Sequence, residues 1–106
     1  MFDIITRKPK IYNINGGLSG PAVKPVALAK VLEISRNVDI PIIGIGGIMN
    51  WKDAVEFMIC GATAFQLGTV NFINPSAGLE IIEGLENYLE QSSLNNLNDL
   101  IGSYQL

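Results

Sequence analysis

Apolar positions along this chain follow a helical rhythm in some segments and a strand rhythm in others. Leu28, Val31, Leu32 and Ser35 share one face at helical spacing, which predicts a helix over 25–37. Lys24-Pro25 opens it, because proline is preorganised for the first helical position. Pro41 to Ile45 is an almost continuous apolar run of strand length, as expected of a parallel strand covered by helices on both faces. Asn50 followed by Asp53 forms a capping box with Asp in place of the usual Glu. The helix it opens carries Val55, Met58 and Ile59 and stops at Gly61. Ala64 to Leu67 reads as a second parallel strand. Asn74-Pro75 opens a longer helix, with Leu79, Ile82, Leu85, Tyr88 and Leu89 as its buried stripe. Residues 91–96 are polar and loop-like, and a short last helix runs from about Asn96 to Gly102. At the other end, Met1–Ile5 and Lys10–Ile14 flank Thr6-Arg7-Lys8-Pro9, the pattern of a β-hairpin around a polar turn.

The order is hairpin, loop, helix, strand, helix, strand, helix, helix. A strand–helix–strand crossover of this length is parallel and right-handed. Two parallel strands do not close a fold, and an eight-stranded barrel takes about 200 to 250 residues. The expected class is therefore α/β, with residues 1–106 forming the C-terminal portion of a (β/α)8 TIM barrel. That portion comprises the last two βα units, the preceding hairpin and the C-terminal helices, and is incomplete alone. Its open strand edges and the apolar residues Ile42, Ile43, Ile45, Phe65 and Leu67 predict self-association.

Composition narrows the function. The chain is 48% hydrophobic and 16% charged, which marks it as globular. A net charge of -3, with no basic cluster larger than Arg7-Lys8, argues against nucleic-acid binding. No apolar stretch reaches the roughly 18 to 20 residues of a membrane span. The first residues lack the pattern of a signal peptide, and one cysteine fits a reducing, cytoplasmic setting. There is no histidine, so histidine-based catalysis and the commonest metal ligand are excluded.

The chemistry lies in three glycine-bearing turns: Gly16-Gly17-Leu18-Ser19-Gly20, Gly46-Gly47 and Gly68-Thr69. The last two follow the predicted strands, and a helix-like segment follows each turn. In a barrel, the loops after strands seven and eight recurrently bind phosphate, with a short extra helix. Gly20, Gly46, Gly47 and Gly68 permit close backbone approach and positive φ. Backbone amides and a helix N-terminus supply the positive end of such a site, and Thr69 adds a hydroxyl donor. Glycines also serve as ordinary turn residues, and the pattern alone specifies only a phosphate-bearing ligand.

The segment Asn15-Gly16-Gly17-Leu18-Ser19-Gly20-Pro21-Ala22-Val23-Lys24-Pro25 is more specific. Together with Pro41–Ile48, Gly61–Thr69 and Asn71-Phe72, it resembles dihydroorotate dehydrogenase, over nearly all of this chain and the C-terminal third of the family's chain. The Gly-Leu-Ser-Gly-Pro-Ala-x-Lys-Pro wording resembles class 1, subclass B, and Gly68-Thr69 argues against the membrane-linked class 2. The resemblance implies an FMN-dependent barrel that oxidises dihydroorotate to orotate in pyrimidine synthesis. It implies that Gly20, Gly46, Gly47, Gly68 and Thr69 hold FMN, mainly its phosphate and ribityl side. It further implies an electron-transfer subunit that carries FAD and an iron-sulfur cluster and passes electrons to NAD. The family's catalytic cysteine, its flavin-contacting lysine and its substrate-holding Asn-Thr pair are expected upstream, so no catalytic residue is assigned and the chain is expected to be inactive alone. Alternatives are a non-catalytic half-barrel binding FMN or phosphate, and an assembly module.

Other residues have plainer readings. Cys60 precedes a helix-ending glycine and reads as buried packing. Asp53 and Glu56 read as a solvated helix face with N-terminal capping. Lys24 contributes to a helix start or reaches an anion. Trp51 is an interface anchor or covers a helix end. Asn71 and Asn74 line the phosphate end, or Asn74 is a cap.

Overall fold

A computed structural model describes residues 1–106. A 3-10 turn at Pro21–Val23 leads into α1 (Lys24–Ser35), with proline in the first helical turn as expected. Then come β1 (Ile43–Ile45), α2 (Trp51–Ile59), β2 (Ala64–Gln66), α3 (Val70–Ile73) and α4 (Ala77–Ser92), followed by a 3-10 turn at Leu97–Leu100. β1 and β2 pair in parallel, with Ile43, Gly44 and Ile45 opposite Ala64, Phe65 and Gln66. This is an α/β fold on a two-stranded parallel sheet, with α2 as the crossover.

The sheet is covered on one face only. Gly44 is the buried position of β1, and a Cβ there would run into the ring of Phe57 on α2. Ile43 and Ile45 point the other way and remain 58% and 57% exposed. This corrects the expectation of a strand buried on both faces: α2 supplies one cover, and no element of this chain supplies the other. The core lies between the sheet, α1, α2 and α4, with Phe57 and Ile81 enclosed at its centre and Val31, Ile48, Val55 and Leu85 around them.

Helix ends are fixed by local chemistry. Asn50 Oδ1 accepts from the amides of Lys52 (2.9 Å) and Asp53 (3.2 Å), while the Asp53 carboxylate accepts from the Asn50 amide, completing the capping box. Gly61 ends α2 with φ 111°, where a Cβ would lie 2.5 Å from that of Ser35. The Ser35 hydroxyl donates to the Cys60 carbonyl (2.8 Å), tying the ends of α1 and α2 together. The Gly102 amide donates to the Met58 carbonyl (3.0 Å), bringing the C-terminal segment to the same place.

Four sequence expectations need correction. The buried stripe of α4 is Ala77, Ile81, Gly84 and Leu85, with Tyr88 and Leu89 half-buried, whereas Leu79 and Ile82 are exposed. Small residues let α4 approach Trp51, and a stripe counted from large apolar residues misses them. The N-terminal segment is a turn with a single antiparallel bridge, Phe2 to Pro9, not a two-stranded hairpin. Asp3 Oδ1 accepts from the Ile5 and Thr6 amides and the Thr6 hydroxyl, which curls the first arm. Ile14 has φ 64°, which ends the second arm. The one-turn helix α3 was not expected as a separate element. The last helical segment is 3-10, capped by Asn96 through the Asn98 amide (2.9 Å).

Candidate functional site

The ends of β1 and β2 open beside the start of α1, and a cavity of ≈ 100 Å³ lies between them. Gly20, Gly46, Gly47, Gly68 and Thr69, drawn from three separate turns, all line it. Leu18, Ser19, Val23, Ile48, Met49 and Gln66 complete the wall. Gln66 is the polar residue of an otherwise apolar strand. It shares the uncovered face with Ile45, its register partner. Period-2 alternation along Ala64–Leu67 carried that signal.

The glycines do different jobs. Gly20, Gly46 and Gly47 have φ of 79°, 119° and 80°, a region that other residues adopt only under strain. A Cβ on Gly47 would sit 2.7 Å from both the backbone nitrogen and Cβ of Lys24, and one on Gly46 would sit 3.1 Å from Ala27 Cβ. These two glycines let the start of α1 pack against the turn. Gly68 differs: a Cβ there would meet nothing within 4 Å. Its open side leaves room for something from outside the chain.

An anion needs donors, and the site has them. The amides of Gly47, Ile48, Gly68 and Thr69 donate to no backbone acceptor in the chain and to no side chain. Thr69 is the residue before α3 and its side chain makes no capping bond. Gly47 and Ile48 carry successive free amides in a turn with positive φ, a backbone arrangement that forms anion-binding concavities, and Gly68 and Thr69 add a second free pair just before α3. No lysine or arginine lines the cavity, so any anion there is held by amides and hydroxyls.

Lys24 opens α1, as its sequence reading has it, and Asp53 completes the capping box, but the solvated-face reading of Asp53 needs correction. Asp53 is buried rather than on a solvated face. Its Oδ1 accepts from Lys24 Nζ at 2.6 Å, and its Oδ2 accepts from the amides of Met49 (2.8 Å) and Asn50 (3.2 Å). Burial pushes the Asp53 carboxyl up, but Lys24 and the two amides outweigh it and hold it below the usual value. Hydrogen bonds from Lys24 to Asp53 and to Glu56 (3.0 Å) raise the lysine above its ordinary value. Glu56 stays near the surface.

The remaining candidates are structural. Trp51 packs on Gly84 and Tyr88, with ring centroids 5.7 Å apart, and so fastens the start of α2 to α4. Asn71 Nδ2 donates to the Leu67 carbonyl (2.8 Å). Asn74 Oδ1 accepts from the Ser76 amide (3.0 Å), and its amide group donates to Glu80. Neither asparagine lines the cavity. Cys60 is half-buried against the core, and burial, with the Glu56 charge nearby, pushes its thiol up. No helix is long and apolar enough to cross a membrane.

Comparison with known proteins gives one answer. Over 104 residues the chain is 58% identical to the catalytic subunit of dihydroorotate dehydrogenase B (NAD(+)) of Caldicellulosiruptor saccharolyticus, covering 98% of this chain and 35% of that protein. It is 52% identical over 101 residues to the corresponding subunit of Alkaliphilus metalliredigens, covering 95% and 33%. The chain thus spans about a third of the length of these relatives. Among solved structures, ligand-free dihydroorotate dehydrogenase of Eimeria tenella superposes with a TM-score of 0.77 at 31% identity, covering 83% of this chain and 25% of that one. The same enzyme in complex with ferulenol gives 0.78 at 28%, covering 89% and 26%. The family model described as Dihydroorotate dehydrogenase matches residues 1–89, and the chain belongs to that family.

Proposed function

We propose that this chain supplies the phosphate end of the FMN site in a dihydroorotate dehydrogenase that oxidises dihydroorotate to orotate in pyrimidine synthesis. It acts as the C-terminal portion of a TIM barrel, with β1 and β2 as strands seven and eight. The observation that carries this reading is the convergence of Gly20, Gly46, Gly47, Gly68 and Thr69 on one cavity whose wall holds amides without acceptors. The amides of Gly47, Ile48, Gly68 and Thr69 would bind the phosphate, and the open side of Gly68 would admit the ribityl chain. FMN, when bound, supplies the hydride chemistry. This chain's part is to bind and orient, since it carries no histidine and its half-buried Cys60 does not line the cavity.

The exposed face bearing Ile43 and Ile45 supports an incomplete barrel, because in a closed barrel the residues pointing away from the helices fill the interior against side chains of the other strands. Similarity to B-type catalytic subunits supports a cytoplasmic enzyme with an electron-transfer subunit that carries FAD and an iron-sulfur cluster and delivers electrons to NAD. The test is complementation: this chain mixed with the N-terminal two thirds of the Caldicellulosiruptor relative, assayed with FMN and dihydroorotate. Orotate formation that requires both pieces is expected. Tight FMN binding without turnover would instead favour a non-catalytic half-barrel, and neither binding nor turnover would overturn the reading.

A further inference from the structure

The turn that follows β1 is held from two sides by one ion pair. Lys24 abuts Gly47 with its own backbone, so closely that a Cβ on Gly47 would lie 2.7 Å from the Lys24 nitrogen. The lysine side chain then reaches over to Asp53 on α2. Asp53 divides its carboxylate, with Oδ1 on Lys24 and Oδ2 on the Met49 and Asn50 amides. The sequence Gly46-Gly47-Ile48-Met49-Asn50 is therefore pinned at Gly47 by packing and at Met49 and Asn50 by hydrogen bonds. The free amides are those of Gly47, at the first pin, and of Ile48, between the pins. The ion pairs of Lys24 are the only ones joining different helices, since the remaining pair, Lys30–Glu33, lies within α1. Lys24 and Asp53 do not themselves line the cavity.

We propose that Lys24 and Asp53 are positioning residues for the phosphate end of the flavin, their ion pair fixing the Gly46-Gly47 turn in its anion-binding shape. This rests on the cavity being the phosphate site. Removing Lys24 leaves a buried carboxylate uncompensated, a costly state that draws in water or protonates. Either response weakens the hold of Asp53 on Met49 and Asn50 and lets the turn drift. Glu56 offers no substitute, because it lies outside the turn and makes no bond to it.

The test uses the full chain and two probes, FMN and riboflavin, which differ by the phosphate. Variants are Lys24→Met, which keeps the length of the stem; Lys24→Arg, which keeps the charge; Asp53→Asn; and Lys30→Met as the surface control. Backbone amide resonances of Gly47 and Ile48 report the turn directly. In Lys24→Met the FMN-over-riboflavin preference should fall about ten- to a hundredfold, the worth of one hydrogen bond to a charged group. Riboflavin affinity should hardly change, the Gly47 and Ile48 resonances should shift, and Lys24→Arg should restore most of the preference. Unmoved resonances, or equal weakening of both probes, would overturn the proposal even if Asp53→Asn fails to fold. A parent chain with no preference for FMN over riboflavin would overturn the phosphate reading and this proposal together. A parent preference that Lys24→Met retains would overturn the positioning role alone.

Discussion

Replacing Gly84 by alanine should destabilise the protein, although the same change in most helix interiors is favourable. Propensity alone favours alanine over glycine by up to about 1 kcal/mol. Gly84, however, lies in the buried stripe of α4, where an added Cβ would lie 2.5 Å from Trp51 Cβ and closer still to ring atoms Cγ and Cδ1. Carbon atoms settle at about 3.5 to 4.0 Å, so α4 or Trp51 must move by an ångström or more. Trp51 cannot simply turn aside, because its ring also rests on Tyr88. Overpacking of this kind costs about 1 to 3 kcal/mol, and the severity of the contact places it at the upper end, for a net loss of about 2 kcal/mol. Gly78 on the same helix is the internal control. A Cβ there meets nothing within 4 Å, and Gly78→Ala should be stabilising by up to about 1 kcal/mol. Urea unfolding followed by circular dichroism measures both. Combining Gly84→Ala with Trp51→Ala should recover most of the loss, with a coupling of about 1 kcal/mol or more between the two sites. Equal effects of Gly84→Ala and Gly78→Ala, or no coupling to Trp51, would refute the reasoning.

Gly68→Ala should leave stability unchanged yet weaken FMN binding, whereas Gly47→Ala should lower stability by about 1 to 3 kcal/mol because its Cβ meets the Lys24 backbone; calorimetric titration and urea melts separate the two. The Asp53 carboxyl titrates below its ordinary value of 3.8, so its contribution to stability is fully present above that value and is lost as pH falls through the folded one. Asp53→Asn should therefore lower stability at neutral pH and flatten the acid limb of the stability curve, and an unchanged acid limb would exclude Asp53 as its source. Cys60, with its thiol pushed up by burial, should react slowly with iodoacetamide at neutral pH and much faster in urea; equal rates would contradict its burial. The face bearing Ile43 and Ile45 should drive self-association of the isolated chain, and Ile45→Glu should shift sedimentation toward monomer.

What the sequence disclosed was whatever is decided within a few residues. The Asn50–Asp53 capping box, the proline start of α1 and the glycine stop of α2 rest on short-range chemistry, and each is present; the parallel pairing of β1 with β2 spans the α2 crossover and followed instead from the handedness and length of that connection. The face that α4 buries is different, because it depends on which partner arrives. Ala77 and Gly84 are inside since α4 meets Trp51, and nothing within α4 marks them. The glycines and Thr69 of the cavity were legible, since turns at strand ends gather where the strands end, whereas the rest of its wall, Gln66 included, was not. The Lys24–Asp53 pair was not, because its partners are separated by 29 positions and each had a sufficient local explanation as part of a helix start.

Counting glycines overstates what they say about a ligand. Gly46 and Gly47 would be required even in a chain that bound nothing, because their positive φ and the closeness of α1 leave no room for a side chain. The same holds for Gly61 against Ser35, at the opposite end of α2 and outside the cavity lining. Two other features speak for a ligand: Gly68, whose missing Cβ would touch no protein atom, and the amides of Gly47, Ile48, Gly68 and Thr69, which find no acceptor within the chain. Backbone donors sheltered from water without partners are costly, and Ile48 is 3% exposed. A bound anion removes that cost at Ile48 and offers the more exposed amides of Gly47, Gly68 and Thr69 an acceptor in place of water. What favours a phosphate at this site is therefore a set of unpaired donors on residues from two strand ends that line one volume, with Gly46 and Gly47 as the means by which α1 comes close to it.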